Sequence, residues 1–194
     1  MSKKIEERRV VLGELRAVRA DGGTAKIAGH AAKFDVLSED LGGFRERIAP
    51  GAFAKSIQGS DIRALWNHDA NIVLGRNKAG TLRLSEDSAG LFYECDAPDT
   101  QLVRDMVLSP IERGDVNQCS FGFYTIADKW AKIDGEWVRS LLEAELLDVS
   151  PVTYPAYAQT DVAVRSLQQA IQQATPPDEI WRNDVLRRRL QLTN

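Results

Sequence analysis

Hydrophobic and polar positions alternate over short distances through most of this 194-residue chain. Val10, Leu12, Leu15 and Val18 make a weakly alternating run that stops at Asp21-Gly22-Gly23, and Ala25, Ile27 and Phe34 resume it. Two apolar runs divided by a glycine-rich turn predict a hairpin. The polar stretch 35–48 leads into Pro50-Gly51-Ala52-Phe53, where the proline can open a short helix running through Ser56. Further short strands are predicted at 62–67, 72–75, 81–84 and 91–95, divided by turn residues such as Asn77, Gly80 and Gly90. Closely spaced strands with short connections favour an antiparallel sheet or barrel.

One helix interrupts this pattern. Asp99 or Thr100 can cap it, Leu102, Val103, Met106 and Val107 form a stripe at helical spacing, and Gly114 offers a left-handed stop. Pro110 is expected to kink or end its last turn. Strand character returns at 119–126, at 137–141 after the Asp134-Gly135 turn, and at 146–152. Beyond Val162 the pattern changes again. Leu167, Ala170, Ile171 and Ala174 suit a Gln-rich helix that Pro176-Pro177 breaks, so a domain over 1–165 is expected to precede a charged helical tail over 166–194.

Composition narrows the class. With 43% hydrophobic and 27% charged residues, the chain is apolar enough to fold around a core. No apolar stretch approaches the ~20 residues a bilayer requires. The two cysteines, Cys95 and Cys119, match no metal-ligand spacing and make no disulfide framework, so neither a metal nor a cofactor is expected. The net charge of -3 conceals an acidic body, -8 over residues 20–164, between ends of +3 over 1–19 and +2 over 165–194. Such a body argues against direct nucleic-acid binding, which calls for clustered Lys and Arg, and the run Arg187-Arg188-Arg189 reads as a solvated helix end.

The candidate chemistry is sparse. Only His30 and His68 can supply an imidazole base. His68, in Leu65-Trp66-Asn67-His68-Asp69, ends an apolar strand where a turn can present it at a sheet rim, whereas His30 lies within a strand. Either is compatible with a structural role, and His68 is the better candidate. Ser120, in Cys119-Ser120-Phe121-Gly122-Phe123, is a hydroxyl in an aromatic strand, beside a glycine that can let another backbone or a substrate approach. A lone strand serine usually does no chemistry. Alternation puts Cys119 on the opposite face with Phe121 and Phe123, which favours the oxygen nucleophile and an accessible Ser120 face. Glu143, Glu145 and Asp148 offer carboxylates to orient an imidazole, although regular alternation separates Asp148 from the other two.

Five motifs in order give the chain a specific resemblance. They are Gly29-His30-Ala31 with Phe34-Asp35; Ile48-Ala49-Pro50-Gly51-Ala52-Phe53; Leu65-Trp66-Asn67-His68-Asp69 with Gly75; Cys119-Ser120-Phe121-Gly122-Phe123; and Leu146-Leu147-Asp148-Val149-Ser150-Pro151-Val152-Thr153 with Pro155-Ala156. From about Gly29 to Ala163 the chain resembles the prohead maturation serine proteases of tailed bacteriophages, whose fold is related to the herpesvirus assemblins. The resemblance implies a mainly β fold with some α, a closed or nearly closed antiparallel β-barrel with helices packed outside. It places the nucleophile on Ser120 and the base on His68. The third member falls on Asp148, one methylene shorter than the glutamate common in the family, with Glu145 as the alternative. Pro151, where an aliphatic residue is more usual, removes a backbone donor and suggests an edge or an early strand end.

The implied function is a serine endopeptidase that cleaves scaffold or capsid-precursor segments, and itself in some members, during prohead maturation. The implied partners are the major capsid protein precursor and the scaffold protein, with a homodimer or higher oligomer also raised, in the host cytoplasm and inside the immature prohead. No membrane partner is implied. Backbone N–H groups near Gly122 or Arg139 are the oxyanion-hole candidates. A non-enzymatic capsid- or scaffold-binding protein on the same fold is the main alternative, and a cysteine hydrolase using Cys119 is a third reading.

Overall fold

Strand alternation resolves into two sheets in the computed structural model, which describes residues 5–12, 15–18, 24–154 and 167–171. The larger sheet runs in the order β1 (Glu7–Leu12), β9 (Gln118–Ile133), β10 (Glu136–Val152), β5 (Arg63–Trp66) and β6 (Asp69–Arg76), with β4 (Phe44–Ile48) also paired to β10. The smaller runs β2 (Arg16–Val18), β3 (Lys26–Lys33), β8 (Gly90–Asp96) and β7 (Leu82–Glu86). The core between them takes Ile27, Ala31, Leu91, Tyr93 and Cys95 from the smaller sheet and Cys119, Phe121, Phe123, Leu146 and Val149 from the larger. Backbone pairing does not close a barrel, because β1, β6, β2 and β7 end the two ladders. The architecture is mainly β with few helices. Nor is it wholly antiparallel, since β4 and β5 both pair with β10 in parallel.

The long β9–β10 hairpin organises the larger sheet. Asp134 and Gly135 both take positive φ, 50° and 87°, as the two-residue turn predicted there requires. The far edge of β10 is divided: Trp137 to Leu141 pair with β4, and Asp148 and Val149 with β5. Between them lies α1 (Ala54–Gly59) with its preceding turn, where Ala52 O and Ser56 Oγ accept the N–H groups of Ala144 and Leu146. The helix starts later than Pro50 suggests, because Gly51 takes a left-handed φ of 86° incompatible with a right-handed helix.

Thr100 caps the predicted second helix by accepting from Val103 N, and Gly114 ends it at φ 81°. It comprises α2 (Gln101–Val103), a π-helical turn at Arg104–Leu108, and α3 (Ser109–Arg113). Pro110 has no N–H to give and its ring crowds the preceding turn, which the wider turn accommodates. Val103, Val107, Leu108 and Ile111 form the buried face, whereas Leu102 and Met106, expected in the stripe, are exposed.

A buried ionic cluster fastens β1 to the rest. Arg139 donates to Glu7 at 2.7 Å, Glu46 at 2.9 Å, Asp128 at 2.7 Å and Thr125 at 2.8 Å, while Arg9 reaches Glu46 at 2.8 Å and Glu7 at 2.9 Å. A short helix over 167–171 places Leu167 against Leu41 and Phe44. The predicted turn Asp21-Gly22-Gly23 and the Pro176-Pro177 break lie outside the described residues, as do Pro155 and Ala156.

Candidate active site

The site is built on the outer face of the larger sheet, with the core beneath it. Cys119, Phe121 and Phe123 point into the core, so Ser120 and Gly122 take the other face. In register, Ser120 stands between Val10 of β1 and Ser150 of β10, and Gly122 between Arg8 and Asp148.

His68 arrives from the β5–β6 hairpin. Asn67 and His68 are its two turn residues, both left-handed at φ 53° and 59°, the geometry of a type I′ turn. Asparagine and histidine tolerate this region better than most residues, but it still costs on the order of 1 kcal/mol. Bonds to the end of β10 offset that cost. Asn67 N donates to Pro151 O at 3.0 Å, and Asn67 Oδ1 accepts from Thr153 N at 2.9 Å. Pro151 is therefore bonded on both sides, paired with Cys119 of β9 and accepting from Asn67, rather than lying at a free edge, and β10 ends one residue later.

The turn holds the imidazole between two partners. His68 Nε2 lies 2.6 Å from Ser120 Oγ, and Nδ1 lies 2.6 Å from Asp148 Oδ1. Ser150 Oγ also donates to Asp148 Oδ1, at 2.7 Å. An ionised carboxylate only accepts, so Nδ1 carries the proton, Nε2 is left as an acceptor, and Ser120 donates to it. This is the order of groups needed to take a proton from a serine hydroxyl as the oxygen attacks a carbonyl. Ser120 and Ser150 are fully buried and Asp148 is 6% exposed, so the face expected to be open is covered, His68 lying over Ser120.

Two local features let Asp148 reach. A β-bulge at Leu147 shifts the register, so that Leu146 pairs with Phe123 and Asp148 with Gly122. That slip puts Glu145 and Asp148 on one face, against the expectation from regular alternation. Glu145 pairs with Tyr124, four residues along β9 from Ser120 or about 13 Å of strand, and the carboxylate on His68 is that of Asp148. The second feature is Gly122, where a Cβ would lie 2.5 Å from Asp148 Oδ2. The close approach this glycine permits is thus that of the Asp148 carboxylate.

The other candidates lie elsewhere. His30 Nε2 pairs with Asp87 at 2.9 Å and its ring meets the Phe92 edge. Cys119 is fully buried against Tyr93, and burial pushes its thiol up to about 11, so it is protonated at neutral pH on the wrong face. Glu143 pairs with Lys55 at the surface. Arg139 stands opposite Trp130, ten residues along β9 from Ser120, with Glu46 on its other side, which removes the backbone there as an oxyanion donor. Asn67 and Ser150 were not singled out from sequence. Asparagine at the start of a two-residue turn and the Asp-x-Ser spacing were their signals.

Among the described residues no group of three or more His, Cys, Asp or Glu side chains is placed to hold a metal, and no helix is long and apolar enough to cross a membrane. A family model described as caudovirus prohead serine protease matches residues 13–174. Comparison with curated proteins and with solved structures finds no match.

Proposed function

The chain belongs to the caudovirus prohead serine protease family, and from that premise we propose that it is an endopeptidase using Ser120 as nucleophile, His68 as general base and acid, and Asp148 as the orienting carboxylate. The observation that carries the reading is the continuous Asp148–His68–Ser120 hydrogen-bond line, 2.6 Å at each link. Ser120 Oγ attacks a peptide carbonyl as Nε2 takes its proton. His68 then protonates the leaving amine, and water repeats the sequence to release the acyl group. Asp148 holds Nδ1–H and stabilises the imidazolium.

The substrates we assign are scaffold or capsid-precursor segments inside the immature prohead, and the chain itself. We read the segment from Ser166 onward as a detachable capsid-targeting or scaffold-like tail, rooted by Leu167 on Leu41 and Phe44. Intact mass after incubation tests self-cleavage, and incorporation into proheads without residues 166–194 tests targeting.

A fluorophosphonate serine trap, with the adduct mapped by mass spectrometry, tests the chemistry. The expected result is an adduct at Ser120 that is lost in His68→Ala and kept in Cys119→Ala, together with cleavage of a co-expressed capsid precursor. No adduct and no cleavage overturns the reading. The full burial of Ser120 favours a second one, a capsid- or scaffold-binding protein on this fold without turnover, and that same result supports it.

A further inference from the structure

Among the described residues, one buried side-chain oxygen lacks a hydrogen-bond partner, and it belongs to the nucleophile's own strand. It is Oε1 of Gln118. Buried polar atoms are nearly always paired, so an unpaired one calls for a reason. Gln118 lies two residues before Ser120 on β9, and no register shift intervenes, since Gln118 pairs with Val152 and Ser120 with Ser150. The two side chains therefore share the outer face, about 6.6 Å apart along the strand. Asp148 occupies the Gly122 side of Ser120, and Gln118 stands on the opposite side.

We propose that Gln118 is a substrate-binding residue whose carboxamide oxygen accepts a hydrogen bond from a backbone N–H of an extended peptide, setting the scissile carbonyl over Ser120. This inference rests on the endopeptidase reading above. The spacing suits the ligand, because two residues of extended peptide cover the same length as two residues of β9. The chemistry suits it too. A neutral amide oxygen complements a neutral N–H donor, whereas a cationic side chain is better matched by a carboxylate. Recognition through the backbone reads conformation more than sequence, so it registers the chain without dictating which residues flank the cut.

The full-length protein is tested in two arms. The first measures labelling of Ser120 by a small alkyl fluorophosphonate, which needs the His68 relay but no peptide backbone. The second digests a proteome-derived peptide library and follows new termini by mass spectrometry, comparing wild type, Gln118→Met, which has the same length without the amide, and Gln118→Glu, which keeps acceptor oxygens. The expected result is Gln118→Met labelling within about two-fold of wild type while kcat/KM falls about ten-fold or more, the size of one lost hydrogen bond. Gln118→Glu should recover most of that loss. Wild-type kcat/KM in Gln118→Met, or equal loss of labelling and cleavage, overturns the inference and leaves the endopeptidase reading standing. A wild-type protein that neither labels nor cleaves removes both.

Discussion

Gly122 and Asp148 face each other across the β9–β10 ladder so closely that a single methyl group has no room between them. A Cβ on Gly122 would sit 2.5 Å from Asp148 Oδ2, while the other carboxylate oxygen is engaged by His68 and Ser150. Gly122→Ala should therefore displace the carboxylate from His68 Nδ1 and leave the core face untouched. The expected outcome is a kcat reduced about 10²-fold or more with cooperative thermal unfolding retained. Wild-type kcat in this variant would show that Asp148 does not orient the base.

Asp148 and Glu145 share a face, but Asp148 is the carboxylate bonded to His68. Asp148→Asn presents an amide that can force the other imidazole tautomer, and the expected loss in kcat is about 10⁴-fold, as for a serine protease whose triad carboxylate is neutralised. Glu145→Gln should stay within a few-fold of wild type. Parallel kinetics on the two variants assign the third member, and the reverse ranking moves it to Glu145.

Asn67 bonds the His68 turn to the end of β10 through Thr153 and Pro151. Asn67→Ala removes the side-chain bond and the residue's tolerance for left-handed backbone, at a cost of about 1–2 kcal/mol. His68 should lose its fixed position, so fluorophosphonate labelling should slow about ten-fold or more with a modest fall in Tm. Asn67→Asp keeps the acceptor and should restore most of the labelling rate. A slower Ala variant that Asp does not rescue would assign the defect to the turn backbone alone.

Glu7 supplies an acid-sensitive element. Burial raises its carboxyl pKa, but the hydrogen bond and charge of Arg139, with Arg9 and Thr125 adding to them, outweigh that and leave it below its usual 4.5. A carboxylate depressed in the folded state contributes stability above its unfolded value, and loses it as pH falls through the folded one. Thermal melts should show Tm declining as pH drops below about 4.5. Glu7→Gln should be destabilised at pH 7, by about 3–5 kcal/mol if Arg139 and Arg9 stay buried, and should show a shallower acid decline. Parallel pH curves for the two proteins would assign the acid transition to another group.

Much of this site is legible in the sequence. The order Trp66-Asn67-His68 followed by Cys119-Ser120-Phe121-Gly122-Phe123 pointed to the imidazole and hydroxyl that the fold brings within 2.6 Å. The opposed faces of Ser120 and Cys119 followed from strand periodicity. The bulge at Leu147 did not, because one inserted residue reverses facing without leaving a compositional mark, and it misplaced Glu145 relative to Asp148. The covering of Ser120 was missed for a related reason: its own strand says nothing about a hairpin folding over it from residues 67 and 68. The parallel pairing of β4 and β5 with β10 depends on α1 bridging the middle of that strand, a long-range arrangement local patterns do not encode.

His68 lies 52 residues before Ser120 and 80 before Asp148, and its turn is held by Pro151 and Thr153 near the far end of the sheet. During translation, the hydroxyl therefore leaves the ribosome before the carboxylate that orients its base and before the strand end that anchors the turn. No truncated product ending ahead of Asp148 can assemble the relay. Assembly of the Asp148–His68–Ser120 relay is therefore a late event in synthesis, completed only once nearly all of the larger sheet has emerged.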